Sequence, residues 1–255
     1  MRIYQNMREA MNEIKRDLAE MGVVVRPHTM QNKDVRGNSD YDTFETQNYC
    51  YCILDMGDKD RLVPHLEWCK AEHAERVDPN YMNPGKAWEL RADVWKEFLR
   101  PIKDMIDAPE YKDDGRFWDH VPPNVEDDYM VFEYTYNERL QWQIAGIVEE
   151  LKVNPDTRQA IIQVHNREVD ASRMRKFRIP CSMSYQFMIR GGKLDVIYYL
   201  RSSDYNTHLA HDLWLCDELR NHIAKEIGVP PGILFCNEGS LHVYKNYGGK
   251  EEHIF

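Results

Sequence analysis

Apolar residues recur along this chain with two periods, and the points where one gives way to the other outline its elements. Residues 1–20 are charged and helix-like, and over 12–22 the apolar positions fall on one helical face that Gly22 closes. Residues 47–56, rich in tyrosine, cysteine and isoleucine, predict a strand, and helical spacing returns over 61–76. Residues 78–128 collect much of the Pro, Asp, Asn and Gly, and their scattered aromatics predict an ordered insertion instead of a linker. Beyond 137 the pattern sharpens. A helix is predicted over 138–153, a turn at Asn154-Pro155-Asp156 and a strand over 160–165. Two further strands, 183–190 and 193–202, meet at Gly191-Gly192, a hairpin-type turn. A long helix over 207–227 is stopped by Gly228 and two prolines, and 233–247 supply a last extended segment. Without repeats or low-complexity tracts, this order predicts an α+β fold with a largely continuous central sheet.

The chain has 255 residues, 42% of them hydrophobic, which suffices for one large core and predicts a single domain over 1–255. No run approaches the roughly 18 apolar residues that a membrane span needs, so a soluble, cytoplasmic protein without a membrane partner is expected. The formal charge of -10 argues against coating nucleic acid, which requires a basic surface. It leaves room for a small phosphorylated ligand, because a few arginines converging in a pocket can bind one phosphate whatever the global charge. The six cysteines form no paired metal pattern, and no metal is expected. Most read as small buried apolar residues. Cys181 is set apart by its context: it follows Pro180 and opens a strand-like segment that can present a side chain at a fixed angle. A thiolate is a natural nucleophile toward an electron-poor carbon, since it adds and leaves readily.

Around Ile179-Pro180-Cys181 the chain continues Ser-Met-Ser-Tyr-Gln-Phe, then Tyr199-Leu-Arg201-Ser202-Ser-Asp204, His211-Asp212 and Gly239-Ser240-Leu-His242-Val-Tyr244. That order and spacing resembles the thymidylate synthase superfamily, and Asp212 with the Gly-Ser-Leu-His-Val-Tyr string looks most like its deoxycytidylate hydroxymethylase branch. The resemblance implies a thymidylate synthase-like domain whose sheet packs back to back in a homodimer. It implies that Cys181 attacks C6 of a pyrimidine nucleotide, making C5 nucleophilic enough to capture a one-carbon unit from methylenetetrahydrofolate, the co-substrate. By the same resemblance Arg201 and Ser202 hold the 5′-phosphate, Arg158 reaches the partner's phosphate across the interface, and Gln186 belongs to the nucleotide site. His242 and Tyr244 alternate along an extended segment, so they share a face; they match a pair that hydrogen-bonds the sugar 3′-hydroxyl. Asp204 and His208 match folate-facing positions, and Tyr136 one near the nucleophile.

Asp212 stands where thymidylate synthases carry an asparagine whose amide accepts from uracil N3–H and donates to O4. Cytosine reverses both partners, and an aspartate accepts from its amino group and completes a second bond if it or N3 holds a proton. Ser182 replaces a histidine near the pyrimidine O4, which fits a substrate lacking O4. An aspartate so placed can also simply stabilise a helix N-terminus.

Several positions depart from the family pattern. Of two adjacent arginines only Arg158 is kept, Gln159 taking the second place, with Arg26 and Arg36 as candidate replacements. A glutamate three residues before a tryptophan becomes His65 in His65-Leu66-Glu67-Trp68; either His65 or Glu67 could exchange the proton, or His65 could be structural. His208 stands for the usual glycine and reshapes the folate side. Only 11 residues follow Tyr244, where the family has a long tail that closes over the ligands, so water capture of the methylene and a hydroxymethyl product are expected over hydride transfer and a methyl. The rival readings are a methylase or uridylate hydroxymethylase on the same scaffold, and a catalytically silent nucleotide-binding homologue.

Overall fold

The computed structural model describes residues 1–30, 33–106, 128–173 and 177–245. Eight strands form the main sheet: β1 (Arg2–Asn6), β2 (Val23–Val25), β3 (Thr43–Asp55), β4 (Ile161–Gln163), β5 (Ser182–Arg190), β6 (Lys193–Leu200), β7 (Ser203–Asp204) and β8 (Pro231–Tyr244). Their order is β1-β3-β8-β6-β5-β4, with β7 added to β8 and β2 to β3. Strands β6 and β8 run parallel, as do β1 and β3, while β3 and β8 are antiparallel. The mixture matches the predicted α+β class.

Four helices cover one face: α1 (Met7–Met21), α2 (Leu66–Val77), α3 (Tyr136–Val153) and α4 (Ala210–Ile227). Their apolar stripes, such as Met7, Ala10, Ile14 and Leu18 of α1 and Leu140, Ile144, Ile147 and Leu151 of α3, meet Tyr51, Tyr185, Phe187 and Tyr198 of the sheet in one core. Gly191 and Gly192 both take positive φ, 58° and 75°, and form the two-residue hairpin turn between β5 and β6 that the sequence predicts. Gly228, at φ 74°, closes α4, donating its N–H to carbonyls of the last turn.

The N-terminus departs from expectation. Residues 2–6 are a strand, not the start of a helix, and Tyr4 is their buried side chain. Charged and short, β1 lies at the edge of the sheet, where polar residues are favoured because they discourage further pairing. The helix predicted from 207 opens with a π-helical turn, Tyr205–Leu209, before α4 begins. Phe98 and Leu99 of the insertion form a small apolar cluster with Phe132, with Trp88 and Trp95 packed against it; residues 107–127 lie outside the described residues.

Candidate active site

The antiparallel and parallel pairings bring the start of β5, the ends of β6 and β8 and the start of β3 to one end of the sheet. Backbone bonds lace them together: Arg201 N–H donates to the Cys181 carbonyl at 2.9 Å, and Ser240 N–H to the Arg201 carbonyl at 3.1 Å. Gly239 permits this approach, since a Cβ there would lie 2.9 Å from the Arg201 carbonyl oxygen. With the N-terminal parts of α3 and α4 these ends enclose a cavity of about 720 Å³, within the usual range of small-molecule sites. Cys181, Arg201, Ser202, Asp204 and His208 line it, together with Asp212, His242, Tyr244 and Tyr136.

Arg201 is held in place. Its Nε donates to the Pro180 carbonyl and its Nη2 to that of Ile179, both at 2.9 Å, and Nη2 lies 3.7 Å from Cys181 Sγ. Burial pushes the Cys181 thiol above its ordinary value; Arg201 opposes the rise, Asp212 adds to it, and Arg178 also opposes it. The resting group is therefore a thiol whose ionisation Arg201 favours. Burial pushes the Asp212 carboxyl up to about 7, with Arg76 opposing and Asp204 and Glu72 adding to the rise. Burial likewise drives His208 down to about 4, keeping it neutral. Asp204 and His242 are Cα neighbours across β7 and β8, and burial raises the Asp204 carboxyl while the imidazole pulls it down.

Tyr136 is the first residue of α3, fixed by a capping box between Thr135 and Glu138. Its hydroxyl lies 3.1 Å from Ser182 Oγ, which in turn is 2.5 Å from Tyr198 Oη. Ser182, 1% exposed, thus stands behind the cavity wall and reaches it through Tyr136. The Arg76 guanidinium covers the Tyr136 ring at 3.8 Å and its Nε donates to Glu72 at 2.8 Å.

Five other residues named from the sequence, His65, Arg158, Gln186, Arg26 and Arg36, are not brought to the cavity. His65 precedes α2 and stacks on His211, their rings 5.4 Å apart. Because His211 Nδ1 faces the Thr207 carbonyl at 3.0 Å, its Nε2 is the acceptor that meets His65 Nδ1 at 3.3 Å. Glu72 and Glu75, further along α2, line the cavity instead. Arg158 is exposed before β4, and Gln186 Nε2 donates to its carbonyl at 2.9 Å, so both sit on the outer side of the sheet. Arg26 and Arg36 pair with Asp42 and Asp34 and do not line the cavity. Sequence reasoning missed Glu72, Arg76, Glu45 and Arg178 as lining residues. The Glu72/Arg76 pair carried a faint signal in its i,i+4 spacing; the rest converge only in three dimensions. Residues 246–255 of the C-terminal segment lie outside the described residues.

Residues 81–253 match the family model described as thymidylate synthase. The chain belongs to the thymidylate synthase family. A putative thymidylate synthase of Methanosarcina mazei is 31% identical over 178 residues, 64% of this chain and 81% of that protein. Its counterpart from Methanosarcina barkeri is 32% identical over 129 residues, 48% of this chain and 58% of that protein. A deoxyuridylate hydroxymethyltransferase of Bacillus phage SP01 is 30% identical over 141 residues, 49% of this chain and 37% of that protein. The chain thus spans less than two thirds of the length of the last two relatives. Among the described residues no cluster of three or more potential metal ligands occurs, and no helix is long and apolar enough to cross a membrane.

Proposed function

We propose that this thymidylate synthase-family protein hydroxymethylates C5 of deoxycytidylate, with methylenetetrahydrofolate as one-carbon co-substrate. The observation that carries the reading is a thiol, Cys181, in contact with a fixed arginine and sharing its cavity with a carboxyl, Asp212, whose pKa is raised to about 7. The one-carbon donor supplies a methylene carbon at the oxidation level of formaldehyde. Trp88, Trp95, Phe98 and Phe132 give the cavity an aromatic wall that fits a planar ring system.

The chain's residues then divide the work. Arg201 keeps guanidinium N–H groups for the nucleotide phosphate, Ser202 beside it, while His242 and Tyr244 address the sugar hydroxyl. Cys181 Sγ bonds to C6, which places electron density on C5 for attack on the methylene carbon. C5 afterwards loses its proton as the bond from the methylene carbon to the donor nitrogen breaks, which releases tetrahydrofolate and leaves an exocyclic methylene; the Tyr136 hydroxyl, relayed through Ser182 to Tyr198, or the Glu72 carboxylate can carry that proton. Water adds to the exocyclic methylene of the pyrimidine and the C6–S bond breaks, restoring the ring. A proton shared between Asp212 and cytosine N3 gives the base two hydrogen bonds, the amino group donating the second. Relatedness to a phage hydroxymethyltransferase favours the hydroxymethyl product, although that relative's name specifies deoxyuridylate.

A second copy completes the site in this reading. Ile161, Gln186, Ile197, Phe235, Cys52 and Ile3 are successive cross-strand partners on the outer face of the sheet, and Ile3 and Ile161 are exposed. Arg158 lies beside this apolar row, where a back-to-back dimer would carry it toward the partner's phosphate. Cys181→Ser is expected to abolish both one-carbon transfer and nucleotide-dependent exchange of the C5 hydrogen, read by deuterium release. Near-normal turnover of that variant would refute the covalent scheme.

A further inference from the structure

The nucleotide scheme uses one guanidinium of the cavity, the exposed Arg201, and leaves a buried one without a role. Arg178 precedes Cys181 by three residues, lines the cavity and is 7% exposed. Its Nε is buried with no hydrogen-bond partner among the described residues. Its guanidinium carbon lies 4.4 Å from the centre of the Phe98 ring and 5.2 Å from those of Trp95 and Tyr134. Aromatic faces attract a cation but do not satisfy its directed N–H donors, so the site keeps hydrogen-bonding capacity for an anion. The cavity's carboxylates other than Asp212, which the scheme gives to the base, are committed elsewhere. Glu72 pairs with Arg76 and Glu97 with Lys33, Glu75 accepts the N–H groups of Lys86 and Ala87, and Glu45 accepts from Ser240. Asp204 accepts from Asn206 N–H.

We propose that Arg178 is the receptor for a carboxylate on the ring-bearing second ligand of this cavity, and so selects an anionic one-carbon donor over a neutral one. The inference rests on the one-carbon reading above and extends it to donor specificity. The aromatic residues around the guanidinium receive a flat ring. A carboxylate attached to that ring system then meets a charge-assisted, two-bonded partner in a water-poor wall. Arg201 is assigned to the nucleotide phosphate and Arg76 is paired with Glu72, which leaves Arg178 as the unassigned guanidinium of the cavity.

The test uses 4-aminobenzoyl-glutamate and its uncharged diamide, titrated calorimetrically into the full chain saturated with deoxycytidylate. The wild type is expected to bind the dianion at least about tenfold more tightly than the diamide. Arg178→Met should bind the two within about twofold, with deoxycytidylate affinity unchanged, and Arg178→Lys should recover part of the preference. If Arg178→Met does not fold, Arg178→Gln carries the same expectation in the same assay. A wild type without preference, a variant that keeps the full preference, or a loss confined to deoxycytidylate binding would each overturn the assignment. Turnover separates it from the reading beneath: nucleotide product without carboxylate preference removes the role of Arg178 alone. An Arg178-dependent preference without nucleotide product removes the one-carbon reading alone.

Discussion

A carboxyl that titrates near neutrality reads a base through the proton it shares, and Asp212 is such a group. Uracil O4 is a weak base, so pairing with uracil requires Asp212 itself to hold the proton, whereas cytosine N3 can hold it in partnership with the carboxylate. Neutral Asp212 is fully present below its folded pKa and lost as pH rises through about 7. The efficiency ratio of deoxycytidylate to deoxyuridylate should accordingly rise with pH across that window, and Asp212→Asn should flatten it. The substitution should also lower the ratio by about 5- to 150-fold, on the order of 1–3 kcal/mol, chiefly by gaining the uracil substrate. Competition kinetics between pH 6 and 8.5 check both, and an unchanged ratio would remove the base assignment. The raised carboxyl also costs stability as it ionises. Asp212→Asn should therefore melt higher than wild type at pH 8, with the advantage gone near pH 4. The sequence made Cys181, Arg201 and Asp212 legible because each sits in a short string of fixed spacing. Glu72 and Arg178 were hidden, since their relevance arises only when α2 and the segment before β5 face the same cavity. His65 was placed by its distance from Trp68, but it sits at the N-cap of α2, beside His211 and away from the cavity.

At the scale of elements, the start of α3 couples local stability to chemistry. Thr135 Oγ accepts from Glu138 N–H at 3.2 Å and donates to the Met82 carbonyl at 2.8 Å, while Tyr136 follows directly. Thr135→Ala should cost about 1 kcal/mol in denaturant unfolding. It should lower kcat more than KM, because Tyr136 loses its fixed approach to Ser182; unchanged kcat with reduced stability would show that the cap serves the helix alone. The elements themselves were legible wherever one period ran unbroken. The β5–β6 hairpin and α4 fall within a few residues of their expected bounds, pinned by Gly191-Gly192 and Gly228. The strand β1 was not, because five residues with one buried side chain carry too little alternation to stand against a neighbouring helix. Its pairing with β3 is a long-range fact.

At the scale of the molecule, the outer face of the sheet is the surface the proposed mechanism needs covered. Ile197 lies in the middle of its apolar row, so Ile197→Lys should shift the chain to monomers in light scattering and abolish turnover together. Activity in a strictly monomeric variant would count against a shared site. Mixing inactive Cys181→Ser chains with inactive Arg158→Ala chains should restore part of the activity, since one hybrid site holds every intact group. No recovery despite confirmed subunit exchange would place Arg158 outside the partner's site. The most direct measurement is the mass of the nucleotide product after the purified chain is given equal deoxycytidylate and deoxyuridylate, methylenetetrahydrofolate and oxygen-18 water. The expected product is deoxycytidylate enlarged by one hydroxymethyl group that carries the label. A methylated nucleotide, a product formed mainly from deoxyuridylate, or an unlabelled hydroxymethyl group would contradict it.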